Sequence, residues 1–307
     1  MTLRDAPARR ADAASEEPAL APASDPAPFE LRRPHGTATP LVFASPHSGR
    51  LYPGDLMSAS VLDDRSIRRS EDVLVDDLIA EAPAAGVAVL NARYARAYVD
   101  VNREPYELDP AMFEGELPPF AKARTARVAA GLGSIARVVG DGQEIYRRKL
   151  TFAGARRRIE AVHRPYHEAL GRLLEETRAR AGAVVLVDWH SMPSAAAAGD
   201  AGRRRRAADM VLGDRYGAAC SPLVTGAVER ELTAMGYLVE RNRPYAGGWT
   251  TEHYGAPARR VHALQVEINR ALYLDEATLQ PSQGFARLRR DLGRLTRTLA
   301  AADWTRL

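Results

Sequence analysis

Two histidines that follow separate apolar runs carry the first chemical signal in this sequence. His47 stands just past Leu41-Val-Phe-Ala-Ser, and His190 closes Val184-Val-Leu-Val-Asp-Trp-His. Two neutral imidazoles and one carboxylate hold a zinc ion with a fourth position open to water, as metal-assisted hydrolysis requires. Three carboxylates could complete such a set, and spacing alone leaves the choice open. Glu71 and Asp72 open an expected helix, where acidic residues also suit the positive helix end. Asp188 lies two residues before His190 on the same strand face, so it could ligate or orient its neighbour. No compact H-E-x-x-H motif decides the matter. Glu267, on the polar face of Leu264-Gln-Val-Glu-Ile-Asn-Arg, is placed to take a proton from an activated water. A structural ion pair with Arg270 is its plainer alternative. Arg96 and Arg103 are cationic in any environment, and their forks suit carboxylates and developing oxyanions.

These residues need elements that bring them together. Short apolar runs alternate with longer helical patterns, which predicts an α/β domain. Strands are expected at Leu41–Ser45, Gly86–Leu90, Tyr98–Val101, Ala183–Val187, Tyr237–Glu240 and Ala263–Ile268. Helices are expected at Ser70–Ala84, Ala153–Ala179, Ser221–Met235 and Ser282–Ala300. Several of the polar residues then fall at carboxyl ends of strands, where ligands bind in open α/β sheets. Four such placements point to one shared crevice.

Composition narrows the classes. The chain has 307 residues, 46% of them hydrophobic, with 43 basic residues against 39 acidic ones and a net charge of +4. All the basic residues except Lys122 and Lys149 are arginine. A field of +4 over this length is weak for a polyanion binder, although Arg203–Arg206 keeps that non-enzyme alternative in view. The chain lacks a recognisable nucleic-acid module. The lone Cys220 excludes a disulfide framework or a thiolate metal site and fits a reducing, cytoplasmic setting. No apolar run reaches the roughly 18 residues of a membrane span. Residues 1–28 lack a periodic apolar pattern and read as a disordered tail, Gly199–Arg206 reads as a solvated loop, and 29–307 reads as one catalytic domain.

Seven ordered blocks then resemble the N-formylglutamate amidohydrolase family. They are Pro46-His-Ser-Gly-Arg-Leu-Tyr-Pro, Glu71-Asp-Val-Leu-Val-Asp, Arg96-Ala-Tyr-Val-Asp-Val-Asn-Arg, Asp188-Trp-His-Ser-Met-Pro-Ser, Val211-Leu-Gly-Asp-Arg-Tyr-Gly, Pro244-Tyr-Ala-Gly-Gly-Trp-Thr-Thr-Glu-His-Tyr-Gly and His262-Ala-Leu-Gln-Val-Glu-Ile-Asn-Arg-Ala-Leu-Tyr. The resemblance spans about residues 36–276. It implies a three-layer, zinc-carboxypeptidase-like α/β fold with a mixed, mostly parallel sheet flanked by helices. It implies hydrolysis of N-formyl-L-glutamate, a small anionic N-acyl amino acid, to formate and L-glutamate, the last step of one route of histidine degradation. Another N-acyl-amino-acid amidohydrolase or a carboxypeptidase on the same fold is the nearest alternative. Carried over residue by residue, it gives one zinc or other divalent ion held by His47, Asp72 and His190. It makes Glu267 the catalytic base and Arg96 the group polarising the scissile carbonyl. Asn102 and Arg103 resemble the Asn-Arg pair with which aspartoacylase-like enzymes grip a substrate carboxylate. Gly247 and Gly248 allow close backbone approach, with Thr250, Thr251, His253 and Tyr254 as further contacts. Glu252 stands where relatives carry a basic residue, a departure expected to shift the acyl-amino-acid preference.

Overall fold

The computed structural model describes residues 26–197, 206–304 and 306–307. The tail expected over residues 1–28 lies outside the described residues up to residue 25, as does most of the Gly199–Arg206 loop. Seven strands form one sheet: β1 Phe29–Arg32, β2 Leu41–Ser45, β3 Ala88–Ala92, β4 Val184–Met192, β5 Met210–Gly213, β6 Val239–Arg241 and β7 Val261–Asn269. Their spatial order is β1-β3-β2-β4-β7-β5-β6. The central β3, β2, β4 and β7 run parallel. β1 pairs antiparallel on one flank, and β5 pairs antiparallel with β7 on the other. The result is a mixed, mostly parallel sheet with helices on both faces.

Parallel strands buried on both faces must be apolar at nearly every position. β2 and the first half of β4 meet that demand, and every residue of each is buried. Alternation divides them between two cores. Leu41, Phe43, Val185, Val187 and Trp189 pack under the helices Pro222–Ala234 and Phe285–Ala301. The second of these buries Leu288, Leu292, Leu295 and Leu299, a stripe at helical spacing. Each such leucine contributes roughly 1.5–3 kcal/mol by leaving water. Val42, Ala44, Val184, Leu186 and Ala263 face the helix Arg164–Ala181. Toward the carboxyl ends this second face turns polar. Asp188 and His190 continue it on β4, with Gln265 and Glu267 beside them in register on β7. The site occupies this transition.

Two expected elements are replaced, each for a local reason. Tyr98–Val101 is turn-rich, not a strand. The Asp100 carboxylate accepts from the Asn102 N–H at 2.9 Å, an Asx-type turn that competes with strand pairing. The helix expected over Ser70–Ala84 is broken into a 3-10 turn at Ser66–Ser70, a short helix at Val75–Leu78 and a second 3-10 turn at Ala82–Ala85. Asp72 donates its N–H to the His47 carbonyl at 3.0 Å, and Leu74 takes a left-handed conformation with φ 63°. The chain gives up helix there to reach β2.

The long helix is also interrupted. Phe152–Arg158 leads into a π turn at Ile159–His163 before Arg164–Ala181. Pro165 lacks an N–H, and its ring crowds the carbonyl four residues back, at position 161 within the π turn. β1 and β5 were not expected from sequence, because four residues carry little periodic signal. Among the described residues, no helix is long and apolar enough to cross a membrane.

Candidate active site

His47, Asp72 and His190 meet at the polar end of the sheet, all at least 98% buried. His47 Nδ1 lies 3.0 Å from His190 Nδ1, and Asp72 Oδ2 lies 3.4 and 3.3 Å from the two nitrogens. The outer nitrogens are both engaged. His47 Nε2 meets Asp100 Oδ1 at 2.7 Å, and His190 Nε2 meets Asp188 Oδ2 at 2.9 Å. A carboxylate accepts only, so each Nε2 carries the proton and each Nδ1 presents a lone pair. Two lone pairs and a carboxylate oxygen would then face one another across about the width of one ion. Asp72 Oδ2 has no hydrogen-bond partner. That orphaned oxygen, with two convergent imidazoles, is a donor set suited to a divalent cation such as zinc. The other oxygen, Oδ1, is fixed by Ser191 Oγ at 3.2 Å and Arg270 Nη2 at 3.1 Å.

Electrostatics favour positive charge here. Burial alone would raise the pKa of Asp72, but positive charge on the flanking imidazoles, the place an ion's charge would take, holds it well below the usual carboxylate range. Asp100 is likewise held down against burial by Arg96, His47 and Arg103. Burial opposes charge on Arg96 too, yet Asp100, whose Oδ2 is 2.6 Å from Arg96 Nη2, keeps it cationic.

The two remaining acidic candidates stand apart from this cluster of donors. Glu71 accepts from Arg68 at 2.8 and 2.9 Å and from the Tyr52 hydroxyl at 3.0 Å. Asp188 lies on the far nitrogen of His190. Glu267 pairs in register with His190 across β4 and β7. Burial pushes its carboxyl up to about 7, against the pull of His190, Arg96 and Arg270. It accepts from Gln265 Nε2 at 2.8 Å, and Gln265 Oε1 accepts the Gly248 N–H at 2.7 Å. Arg270 therefore bonds Asp72, and the simple Glu267–Arg270 pair weighed from sequence is not formed.

A cavity of about 510 Å³ opens over these groups. His47, Asp72, His190, Glu267, Arg96, Asn102, Arg103, Gly247 and Gly248 all line it. The Asn102 amide oxygen accepts from Thr250 N at 2.8 Å, while its Nδ2 lies 3.2 Å from His190 Nε2, two donors side by side. A Cβ on Gly248 would stand 2.4 Å from that amide, and Gly247 needs φ +123°. Both positions require glycine.

Thr250, Thr251 and His253 do not line the cavity. Thr250 and Thr251 are buried behind the loop, where Thr251 Oγ1 caps the Gly248 carbonyl. His253 stacks on Trp249 with ring centroids 4.4 Å apart, and Tyr254 meets His167 Nδ1 at 3.0 Å. Glu252 is half-exposed, pairs with Arg215 at 3.2 Å and does not line the cavity.

Sequence reasoning missed Asp100, Gln265 and Ser191, and saw Arg270 only as a partner for Glu267. Same-face spacing offered a signal for one of them, since Gln265 precedes Glu267 by two residues as Asp188 precedes His190. Arg206 of the arginine run bonds Asp209 at 2.6 Å; Arg203–Arg205 lie outside the described residues.

A family model for N-formylglutamate amidohydrolase matches residues 39–274. The chain is similar to the crystal structure of N-formylglutamate amidohydrolase from Ralstonia eutropha JMP134, with a TM-score of 0.84 and 43% identity over 89% of this chain and 97% of that one. It is 29% identical to an N-formylglutamate deformylase of Pseudomonas putida over 245 residues, 79% of this chain and 84% of that protein. It is 30% identical to the Pseudomonas aeruginosa deformylase over 241 residues, 77% of this chain and 83% of that protein. The matched region contains the whole cavity-lining set described above, and the chain belongs to the N-formylglutamate amidohydrolase family.

Proposed function

We propose that this protein hydrolyses N-formyl-L-glutamate to formate and L-glutamate in a metal-dependent reaction, the closing step of one route of histidine degradation in the cytoplasm. One observation carries the metal dependence: three unshared donor atoms converge within 3.4 Å of one another, beside a buried carboxyl and a buried guanidinium in one cavity. A single divalent ion held by His47, Asp72 and His190, zinc first among them, would supply Lewis acidity and activate water at neutral pH.

The chain's own residues do the rest. Glu267 takes a proton from the attacking water and returns it to the departing amine nitrogen, a double role suited to a carboxyl pushed up to about 7. Gln265 holds Glu267 by one oxygen and leaves the other for the water. Arg96, fixed by Asp100, offsets the negative charge that grows on the formyl oxygen as the tetrahedral species forms. Arg103 is anchored to the carbonyls of Leu132 and Asn102 and offers its remaining nitrogen to a substrate carboxylate. Asn102 acts through Thr250, whose N–H it accepts, holding the glycine loop against the site.

The test is formate release by metal-quantified protein from N-formyl-L-glutamate, beside N-acetyl-L-glutamate and a glutamate dipeptide. Turnover highest on the formyl substrate, lost on exhaustive chelation and regained with added zinc, is the expected result. Full activity after chelation overturns the metal dependence. Preference for the acetyl or dipeptide substrate overturns the substrate.

A further inference from the structure

Five arginines line the cavity, Arg69, Arg96, Arg103, Arg127 and Arg270, against the carboxylates Asp72, Asp100 and Glu267. Four of the five already donate to a neighbour through at least one guanidinium nitrogen. Arg96 bonds Asp100 at 2.6 Å, Arg69 pairs with Asp141, and Arg270 donates to Ser191, Asp72 and two backbone carbonyls. Arg103 donates to two carbonyls. Among the described residues Arg127 alone of the five makes no hydrogen bond through its guanidinium. Its nearest carboxylate oxygen is Glu107 Oε2 at 3.8 Å, itself without a hydrogen-bond partner.

The backbone holds Arg127 beside Arg103. Thr125 caps the Ala126–Ala129 turn by accepting from Val128 N and donates its hydroxyl to Glu107. The Arg127 carbonyl accepts the Leu132 N–H at 2.8 Å, and the Leu132 carbonyl accepts Arg103 Nε at 2.8 Å. Two hydrogen bonds thus join the Arg127 backbone to the Arg103 side chain. The crowding is felt electrostatically: burial lowers the pKa of Arg103, and Arg96 and Arg127 depress it further. An anion between them would relieve that repulsion.

We propose that Arg127 is a specificity-determining residue, which receives the side-chain carboxylate of a dicarboxylic acyl-amino acid while Arg103 holds the α-carboxylate. The proposal rests on the amidohydrolase reading above and adds to it the group that separates acidic from neutral substrates. Glu107 keeps the guanidinium near the wall at 3.8 Å without a hydrogen bond, so a ligand carboxylate can take its donors without breaking one.

The test compares N-formyl-L-glutamate with the neutral isostere N-formyl-L-glutamine, using full-length wild type, Arg127→Gln and Arg127→Lys. Arg127→Gln is expected to raise KM for the glutamate substrate about 10- to 100-fold with kcat nearly unchanged, because a charge-assisted pair is lost. The glutamine substrate, whose neutral amide forms no ion pair with Arg127, should lose several-fold less, so that the preference for glutamate over glutamine falls. Arg127→Lys should fall between, keeping charge without the fork. A parallel loss on both substrates overturns the proposal, since it would mean that Arg127 acts only through Glu107 and the fold. No change on either substrate overturns it as well. Calorimetric binding of L-glutamate and L-glutamine separates this inference from the reading beneath it. A wild type that cleaves neither substrate sinks the amidohydrolase reading. Even then, tighter binding of glutamate than glutamine that disappears in Arg127→Gln upholds the role of Arg127, and equal binding of the two ligands overturns it.

Discussion

Glu267 shows how little of a residue's chemistry lies in its identity. As a glutamate on a strand it would ionise near the ordinary value; buried between Gln265 and the His190 strand it is pushed up to about 7. Exchanging it for glutamine keeps the shape and the Gln265 contact but removes the exchangeable proton. We expect Glu267→Gln to lower kcat by about 10²- to 10⁴-fold with KM little changed, the usual reach of general acid–base catalysis. Steady-state formate assays check this, with metal content measured on the same samples so that a lost ion is not mistaken for a lost base. Near-normal turnover would remove Glu267 from the proton path. The site was legible at this scale wherever a residue's role follows from strand position, as for His47, His190 and Glu267. It was not legible where the role passes through a distant partner. Asp100 went unseen, and Asp72 was separated from Glu71 and Asp188 only by the family resemblance; each is bound to a residue far along the chain, His47 at a separation of 53 and Arg270 at 198. A local pattern contains no trace of such pairs.

At the scale of elements, the π turn at Ile159–His163 does work that an unbroken helix would not. It sets His163 and His167 against the segment that carries Asn102. His163 Nε2 bonds the Arg103 carbonyl at 2.8 Å, and His167 Nε2 bonds the Val101 carbonyl at 2.6 Å. The two histidines hold the backbone on either side of Asn102. Trp249 packs against both rings and so ties the glycine loop's helix to the same point. Periodicity read this stretch as one continuous helix, because the apolar positions before and after the turn each keep helical spacing. The extra residue of the π turn is invisible to that pattern, although Pro165 marks where strain falls. Deleting Ala161, which is exposed, should convert the turn to regular helix, with the two flanking halves keeping their faces and only the residues of the turn redrawn. His163, the last residue of the turn, then shifts against the Arg103 carbonyl that it bonds. We expect a loss of roughly 1–3 kcal/mol in urea unfolding for each carbonyl left unpaired, together with a fall in activity. An Ala161 deletion with unchanged stability and turnover would show that the π turn positions nothing.

For the whole molecule, α/β class and strand-end crevice were legible, because parallel strands buried on both faces leave continuous apolar runs, while the mixed character of the sheet came only with the family resemblance. The flanking β1 and β5 were not, since short edge pairings depend on neighbours supplied by the fold. The same folding gathers histidines into dry surroundings, which gives stability a defined pH dependence. Burial lowers the pKa of His163 and His262, and burial together with His163 lowers His167 well below its ordinary value. The unfolded chain takes up protons at these sites near pH 6.5, before the folded one does. A depressed folded value means that the stabilisation is fully present above the unfolded value and is lost as pH falls through the folded one. Asp76 works in the opposite sense, since burial raises it to about 6, as does Glu267. The histidine contribution is therefore read by difference. Metal-loaded wild type and a His163→Gln/His167→Gln variant are to be unfolded in urea at steps between about pH 8 and pH 5, the window set by the ordinary histidine value. The wild type should lose more stability over that span than the variant, whose amides keep a donor for the Val101 and Arg103 carbonyls but take no proton. Parallel curves would show that the His163–His167–Trp249 cluster holds its neutral state at no cost in stability on acidification, and the burial argument would fail for it.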